Sequence, residues 1–387
     1  MKTKKKKSHK KTLIYAVTIV LSVMYIVLGN RLVTGKTAYS GEGNYGYYLN
    51  ARVTELLDQT ENIDVLGSND GYDVRFRAIV LTGENKGKTV TAVKTYDSFA
   101  DTKGENDIAV GDKVILYSDA MTNTQDWIFM AYSRMSVLLI VAAAFLVLLV
   151  LFGQRKGLNT IVSLIFTILA IFAVLVPAIL SGYNIYLSSI ITCIYICVMS
   201  LLIINGADEK SMTAIFGCLG GIAFSGLLML VLDRFLHLTG VTSEESVYLI
   251  SLNTDNPIDL KAIVFGAILI GAIGAIMDVA MSIASSLYEV ASSSRDPGFA
   301  ALLRSGFEIG KDMMGTMTNT LILAYIGSSL ALVLLLVAYN TPLIYLFNRE
   351  MIVVEILQAL IGSLGILFTI PLTSLIGARL YANLHRA

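Results

Sequence analysis

The residues best able to do chemistry in this chain sit inside stretches that are otherwise apolar. Asp278, Ser282, Ser285 and Glu289 recur at spacings of 4, 3 and 4, which puts them on one face of a helix. On the next apolar segment Asp312, Thr316 and Asn319 recur at 4 and 3, with Lys311 and Thr320 beside them, and form a second polar stripe. An ionisable group at the centre of a membrane helix costs roughly 2.5–3.5 kcal/mol on insertion scales. A carboxylate facing hydroxyl and amide groups in such a place can hold a proton or a monovalent cation. Asp278 lies about 16 Å of helix from Glu289, and Asn319 about 10 Å from Asp312, at 1.5 Å per residue. Measured from a shared end, Asp278 and Asn319 therefore reach similar depths. The expected ion- or proton-coupling site is Asp278 with Thr316 and Asn319. Glu289, Lys311 and Asp312 form its expected cytoplasmic rim. The structural alternative is that Asp278 hydrogen-bonds Thr316, Thr318 or Asn319 and simply locks a helical hairpin.

Other chemistry finds little support. Cys193, Cys197 and Cys218 all fall in apolar segments, so no disulfide framework is expected. Cys193 and Cys197 share a helix face, but no His or further Cys completes a metal set, and no metal or cofactor is expected. His9, His237 and His385 are scattered. No G-x-S-x-G or H-E-x-x-H motif is present, and a lone Asp278 does not make a catalytic dyad, so no catalytic residue is assigned and an enzyme is not expected.

The elements that must position the stripes follow from composition. Of 387 residues, 55% are hydrophobic and 15% charged, with a mean hydropathy of +0.69, which excludes an ordinary soluble domain. The fold class predicted is an α-helical integral membrane protein of about eight transmembrane helices with a small all-β extracytoplasmic domain. Residues 1–29 carry seven lysines before Thr12 and then an apolar run, read as an uncleaved signal anchor with a cytoplasmic N-terminus. Residues 30–131 hold fifteen acids against ten bases and four or five short alternating strands, read as a small antiparallel barrel of OB or SH3 type. Its turn at Gly83 to Lys88 reads as a hairpin or a ligand loop. The domain lacks the basic, aromatic-interleaved face of a nucleic-acid binder, and no nucleic-acid partner is expected.

Residues 132–387 form a seven-helix membrane domain, with segments at 135–152, 158–180, 185–204, 212–232, 261–287, 313–337 and 352–376. With the N-terminus inside, eight basic residues fall in cytoplasmic links (Arg155, Lys156, Lys210, Arg295, Arg304, Lys311, Arg379, Arg386) and two, Arg234 and Arg349, in short external ones. That asymmetry predicts cytoplasmic termini and an external β domain. The Thr242-Ser243-x-Glu245 stretch predicts a short interfacial helix, and Phe299, Leu302, Leu303 and Phe307 a short amphipathic helix in the cytoplasmic link.

Three stretches carry a resemblance: GAIGAIMDVAMSIASSLYE, SGFEIGKDMMGTMTNTLILAYIGSSL and GSLGILFTIPLTSLIGA. In them the chain resembles the YibE/F-like family of bacterial multi-pass membrane proteins, over roughly residues 130–380. That resemblance implies a bacterial cell membrane but no chemistry. The glycine–aspartate–methionine run around 274–281, with Glu289, residues 306–310 and Thr316 to Thr318, is also similar to the central helices of RND-type permeases. There an intramembrane aspartate relays protons, a role that would fall on Asp278, and a single unit of this kind implies a homo-oligomer. The function expected is a permease or transport-coupled protein in the lipid bilayer, moving a small solute or cation of unknown identity. The alternative is a non-transporting scaffold or assembly factor acting through the external β domain.

Overall fold

A computed structural model of the chain describes residues 2–34, 47–63, 69–97, 107–118, 126–251, 257–294, 298–340 and 342–382. It divides into two compact units, Ser40–Leu148 and Met1–Tyr39 with Leu149–Ala387.

The first unit holds five strands: β1 (Tyr47–Ile63), β2 (Asn69–Val80), β3 (Thr89–Asp97), β4 (Lys113–Ser118) and β5 (Trp127–Tyr132). They close into a barrel in the order β1-β2-β3-β5-β4. Period-2 alternation sets the register: Phe76, Ala78 and Val80 are buried, Phe76 and Ala78 pack with Val53, Ala92, Val114 and Leu116, and Arg75 and Arg77 point out. The barrel is not wholly antiparallel as the alternation suggested. β3 meets β5 in parallel, through Ala92 and Val93 against Trp127 and Ile128. An odd number of strands around a closed ring cannot alternate direction throughout, so one neighbouring pair has to run parallel. The turn after Val80 is a hairpin joining β2 to β3, with Gly87 N–H donating to the Val80 carbonyl at 2.9 Å. Gly83 and Gly87 have φ of 84° and 86°, a left-handed conformation that costs glycine nothing.

The second unit is helical. Helix α1 (Lys2–Thr34) docks through Tyr25, stacked on Tyr195 at 4.0 Å, and through Asn30. Next comes α2 (Met135–Leu169), whose residues up to Leu148 belong to the first unit, then a π-helical turn, Ala170–Leu175, then α3 (Val176–Leu180). Those 46 residues would stretch roughly 69 Å as one straight helix, twice a bilayer. They do not run straight. Gln154 breaks the helix at φ 49°, and Gly157 lies so close to the Leu149 carbonyl that no side chain fits between. Farther along, Pro177 offers no N–H to the Ala173 carbonyl four residues back. Asn30 Nδ2 donates to that carbonyl at 2.7 Å and ties α1 to the irregular turn.

Helices α4 (Ile185–Asn205), α5 (Glu209–Leu236), α7 (Leu260–Ser293) and α11 (Glu350–Tyr381) form the packed core, with the short α6 (Glu244–Ser251) where the interfacial helix was predicted. α11 sits at the centre, against α5, α7 and α8 (Phe299–Ser328). Small residues permit this: Gly221 approaches Thr369 Oγ1, and Gly365 approaches Ser225 Oγ, each leaving no room for a Cβ. The stretch from Phe299 is not a separate amphipathic helix. It is the first turns of α8, pulled into the core by buried Leu302 and by Gly306 and Gly310, which pack on Ser374 and Ile370 of α11. α8 bends by 58° into α9 (Leu330–Ala338), and the one-turn α10 (Leu343–Leu346) leads to α11. Among the described residues six helices are long and apolar enough to cross a membrane, or seven if the bent pair is one span.

Candidate functional site

Asp278 lies mid-way along α7, whose own sequence is otherwise apolar for most of its length. Its carboxylate is exposed from the protein and makes no hydrogen bond or ion pair among the described residues. What faces it follows from helix register. The Tyr325 hydroxyl of α8 occupies the space where a Cβ on Gly271 would stand, so those two residues oppose each other. Seven residues along a helix return to the same face. Asp278 is seven beyond Gly271, and Thr318 is seven before Tyr325 on the antiparallel α8. Leu287 against Gly306 shows that the two helices stay together at the far end. By this register Asp278 falls at the level of Thr318 along the helix pair. Thr318 Oγ1 is buried and has no hydrogen-bond partner among the described residues.

Thr316 and Asn319 reach the same depth as Asp278 but belong to another face of α8. Thr316 donates its hydroxyl to the Met313 carbonyl of its own helix at 3.0 Å, and both residues are exposed. Together with exposed Asp312 they form a polar stripe directed away from the α7 contact. Of the expected rim, Glu289 pairs with Lys210 of α5 at 2.7 Å, and Lys210 Nζ also lies 4.6 Å from the Tyr288 ring centroid. Lys311 pairs with Glu308 at 2.9 Å along its own helix. The rim residues thus answer to different neighbours and do not form one cluster.

Two groups escaped the reading of the stripes. Tyr325 of α8 meets α7 at Gly271. Glu355 of α11 has Oε2 buried without a hydrogen-bond partner, near enough to Tyr325 for carboxylate and phenol to interact electrostatically. Matching the seven-residue spacings 271/278 and 318/325 would have found Tyr325. Glu355, five residues into α11, carried no comparable signal.

The Asp278 face continues along α7 to Ser282 and Ser285, which line an open cavity of about 510 Å³ together with Lys156 of α2, the end of α4 and the start of α5. One helix face thus carries an unpaired carboxylate and, one turn on, hydroxyls open to a polar cavity. Such an arrangement can pass a proton between water and a group in the span. No cluster of three metal-ligating side chains occurs among the described residues.

A family model described as YibE/F-like protein matches residues 141–383, more than half of the chain. No curated protein and no solved structure matches the chain.

Proposed function

The chain belongs to the YibE/F-like family, and from that premise we propose that it is a bacterial inner-membrane permease or transport-coupled protein whose proton- or cation-responsive group is Asp278. The reading is supported by the Asp278 carboxylate, unpaired among the described residues and one turn from the cavity wall at Ser282, with the buried Thr318 hydroxyl at the level that helix register gives it. The proposal rests on the geometry of α7 and α8.

In this reading the chain crosses the bilayer eight times. The six long helices supply six crossings, the break at Gln154 divides one of them in two, and the bent α8–α9 pair supplies the last. Both termini are cytoplasmic, and the five-stranded barrel, which fits the OB-type alternative, is external. The α1 helix remains as an anchor, since Tyr25, Asn30 and Val33 all bond or pack into the helical unit. The outward stripe of Asp312, Thr316 and Asn319 is the surface that a second copy would cover.

The test is proton-linked flux in proteoliposomes of wild type and Asp278→Asn. Loss of coupling in a variant that still folds is expected; unchanged flux would remove Asp278 from any transport role. The alternative, a non-transporting scaffold acting through the barrel, has its own support in a recess of about 420 Å³ beside Lys94, Phe129 and Tyr132. It requires Asp278→Asn to be silent while Met130→Glu, an exposed change at that recess, alters what co-purifies.

A further inference from the structure

The cavity of about 510 Å³ between α4, α5 and α7 has a chemistry that the Asp278 reading does not use. Its wall includes Lys156, Lys210 and the first turn of α5, a helix of 28 residues. The first N–H groups of a helix have no partner within it and carry the positive end of its dipole. Here the N-cap residue, Asp208, makes no side-chain bond to them. Ser211, in that same turn, is 0% exposed, and its Oγ has no hydrogen-bond partner although it lines the cavity. A buried hydroxyl left unsatisfied costs about 1–3 kcal/mol, so a polar occupant that bonds it is favoured. From the opposite wall α7 supplies the hydroxyls of Ser282, Ser285 and Ser286. Lys156 is exposed and makes no ion pair among the described residues, whereas Lys210 pairs with Glu289.

Two cations, a helix N-terminus and several hydroxyl donors converge, which is the donor set of an oxyanion site. One wall group does not fit a simple anion. Asp208 is a carboxylate, and an ionised carboxylate can only accept hydrogen bonds. It repels sulfate, which is fully deprotonated at neutral pH, but accepts a hydrogen bond from an oxyanion that keeps a proton. The volume is also far more than a bare halide needs. We propose that this cavity binds a protonated phosphate group, either inorganic phosphate or a phosphomonoester headgroup, with Lys156, Ser211 and the α5 N-terminus as donors and Asp208 as acceptor. The site stands whether or not the protein transports anything.

The experiment is calorimetric titration of full-length protein in lipid-free detergent with inorganic phosphate, and separately with sulfate at matched ionic strength. Phosphate binding that exceeds sulfate binding at least tenfold is expected, with the gap narrowed by Asp208→Asn. Lys156→Gln, an exposed change that the fold tolerates, and Ser211→Ala should each weaken phosphate about tenfold, the loss that goes with one hydrogen bond to a charged group. A headgroup source is recognised by binding confined to phosphate-free nanodiscs containing phosphatidic acid rather than phosphatidylcholine alone, weakened by the same variants. Binding of neither inorganic phosphate nor phosphatidic acid, equal binding of sulfate, or unchanged affinity in Lys156→Gln overturns the site.

Discussion

A carboxylate that crosses between charged and neutral states inside a span needs a neighbour that can bond it in both, and a hydroxyl is such a neighbour because it donates and accepts. This makes Thr318, rather than Thr316, the residue whose loss should matter. Thr318→Val removes the hydroxyl at the level of Asp278; hydrogen bonds to charged groups contribute about 1.5–3 kcal/mol, so coupled flux should fall at least tenfold. Thr316→Val removes a hydroxyl already spent on its own helix and should leave flux unchanged. Equal effects in the two variants would refute the register derived from Gly271 and Tyr325. A second prediction concerns the barrel. Tyr96 is almost wholly buried, stacks on Tyr72 at 4.6 Å, and accepts a hydrogen bond from Ile108 N–H at 2.8 Å. Desolvation pushes its phenol up from the ordinary 10.0 to about 12. A raised value means the folded barrel holds this proton more tightly than the unfolded chain. The resulting stability is whole below pH 10.0 and lost as pH rises through about 12. Tyr96→Phe should abolish that alkaline loss and, by orphaning the Ile108 N–H, cost about 1–3 kcal/mol at neutral pH. Tyrosinate absorbance and chemical unfolding of the full-length protein measure the two effects.

At the scale of elements, glycines decide how closely α5, α7 and α11 approach. Gly221 lies against Thr369 Oγ1, whereas nothing stands within 4 Å of where a Cβ on Gly274 would be. Gly221→Ala should therefore cost about 1–3 kcal/mol by overpacking, and Gly274→Ala should be nearly neutral, read as melting temperatures in one detergent. The same distinction explains what the residues alone could and could not reveal. Apolar runs and their lengths announced the helices, because a span of about 20 residues is a demand of the bilayer itself. Alternation in Val74 to Val80 announced the barrel strands, because period 2 is a property of one chain. The 4 and 3 spacing of Asp312, Thr316 and Asn319 announced a stripe, but spacing gives directions relative to the helix and not to its neighbours. Which way the stripe points is decided by the approach of Tyr325 to Gly271 and by the docking of Gly306 and Gly310 on α11, contacts made across long separations in sequence. The Asn30 bond to the Ala173 carbonyl was equally hidden, although Pro177 signalled that some group would have to answer there.

For the whole molecule a formal charge of zero conceals an uneven distribution, with seven lysines before Thr12 and fifteen acids against ten bases in residues 30–131. In the proposed topology the cavity beside Lys156 and Ser211 opens to the cytoplasm. Thiol labelling can decide it, because Cys193, Cys197 and Cys218 are all fully buried and should give little background. Lys86 in the barrel hairpin and Arg155 beside the Gln154 break are both exposed, so each tolerates replacement by cysteine. In intact cells a membrane-impermeant maleimide should label Lys86→Cys and leave Arg155→Cys untouched until the membrane is permeabilised. The opposite pattern would invert the protein and carry the phosphate cavity to the outer face. Labelling of both in intact cells would mean that the fold at Gln154 does not return the chain across the bilayer, and the count of eight crossings would fall with it.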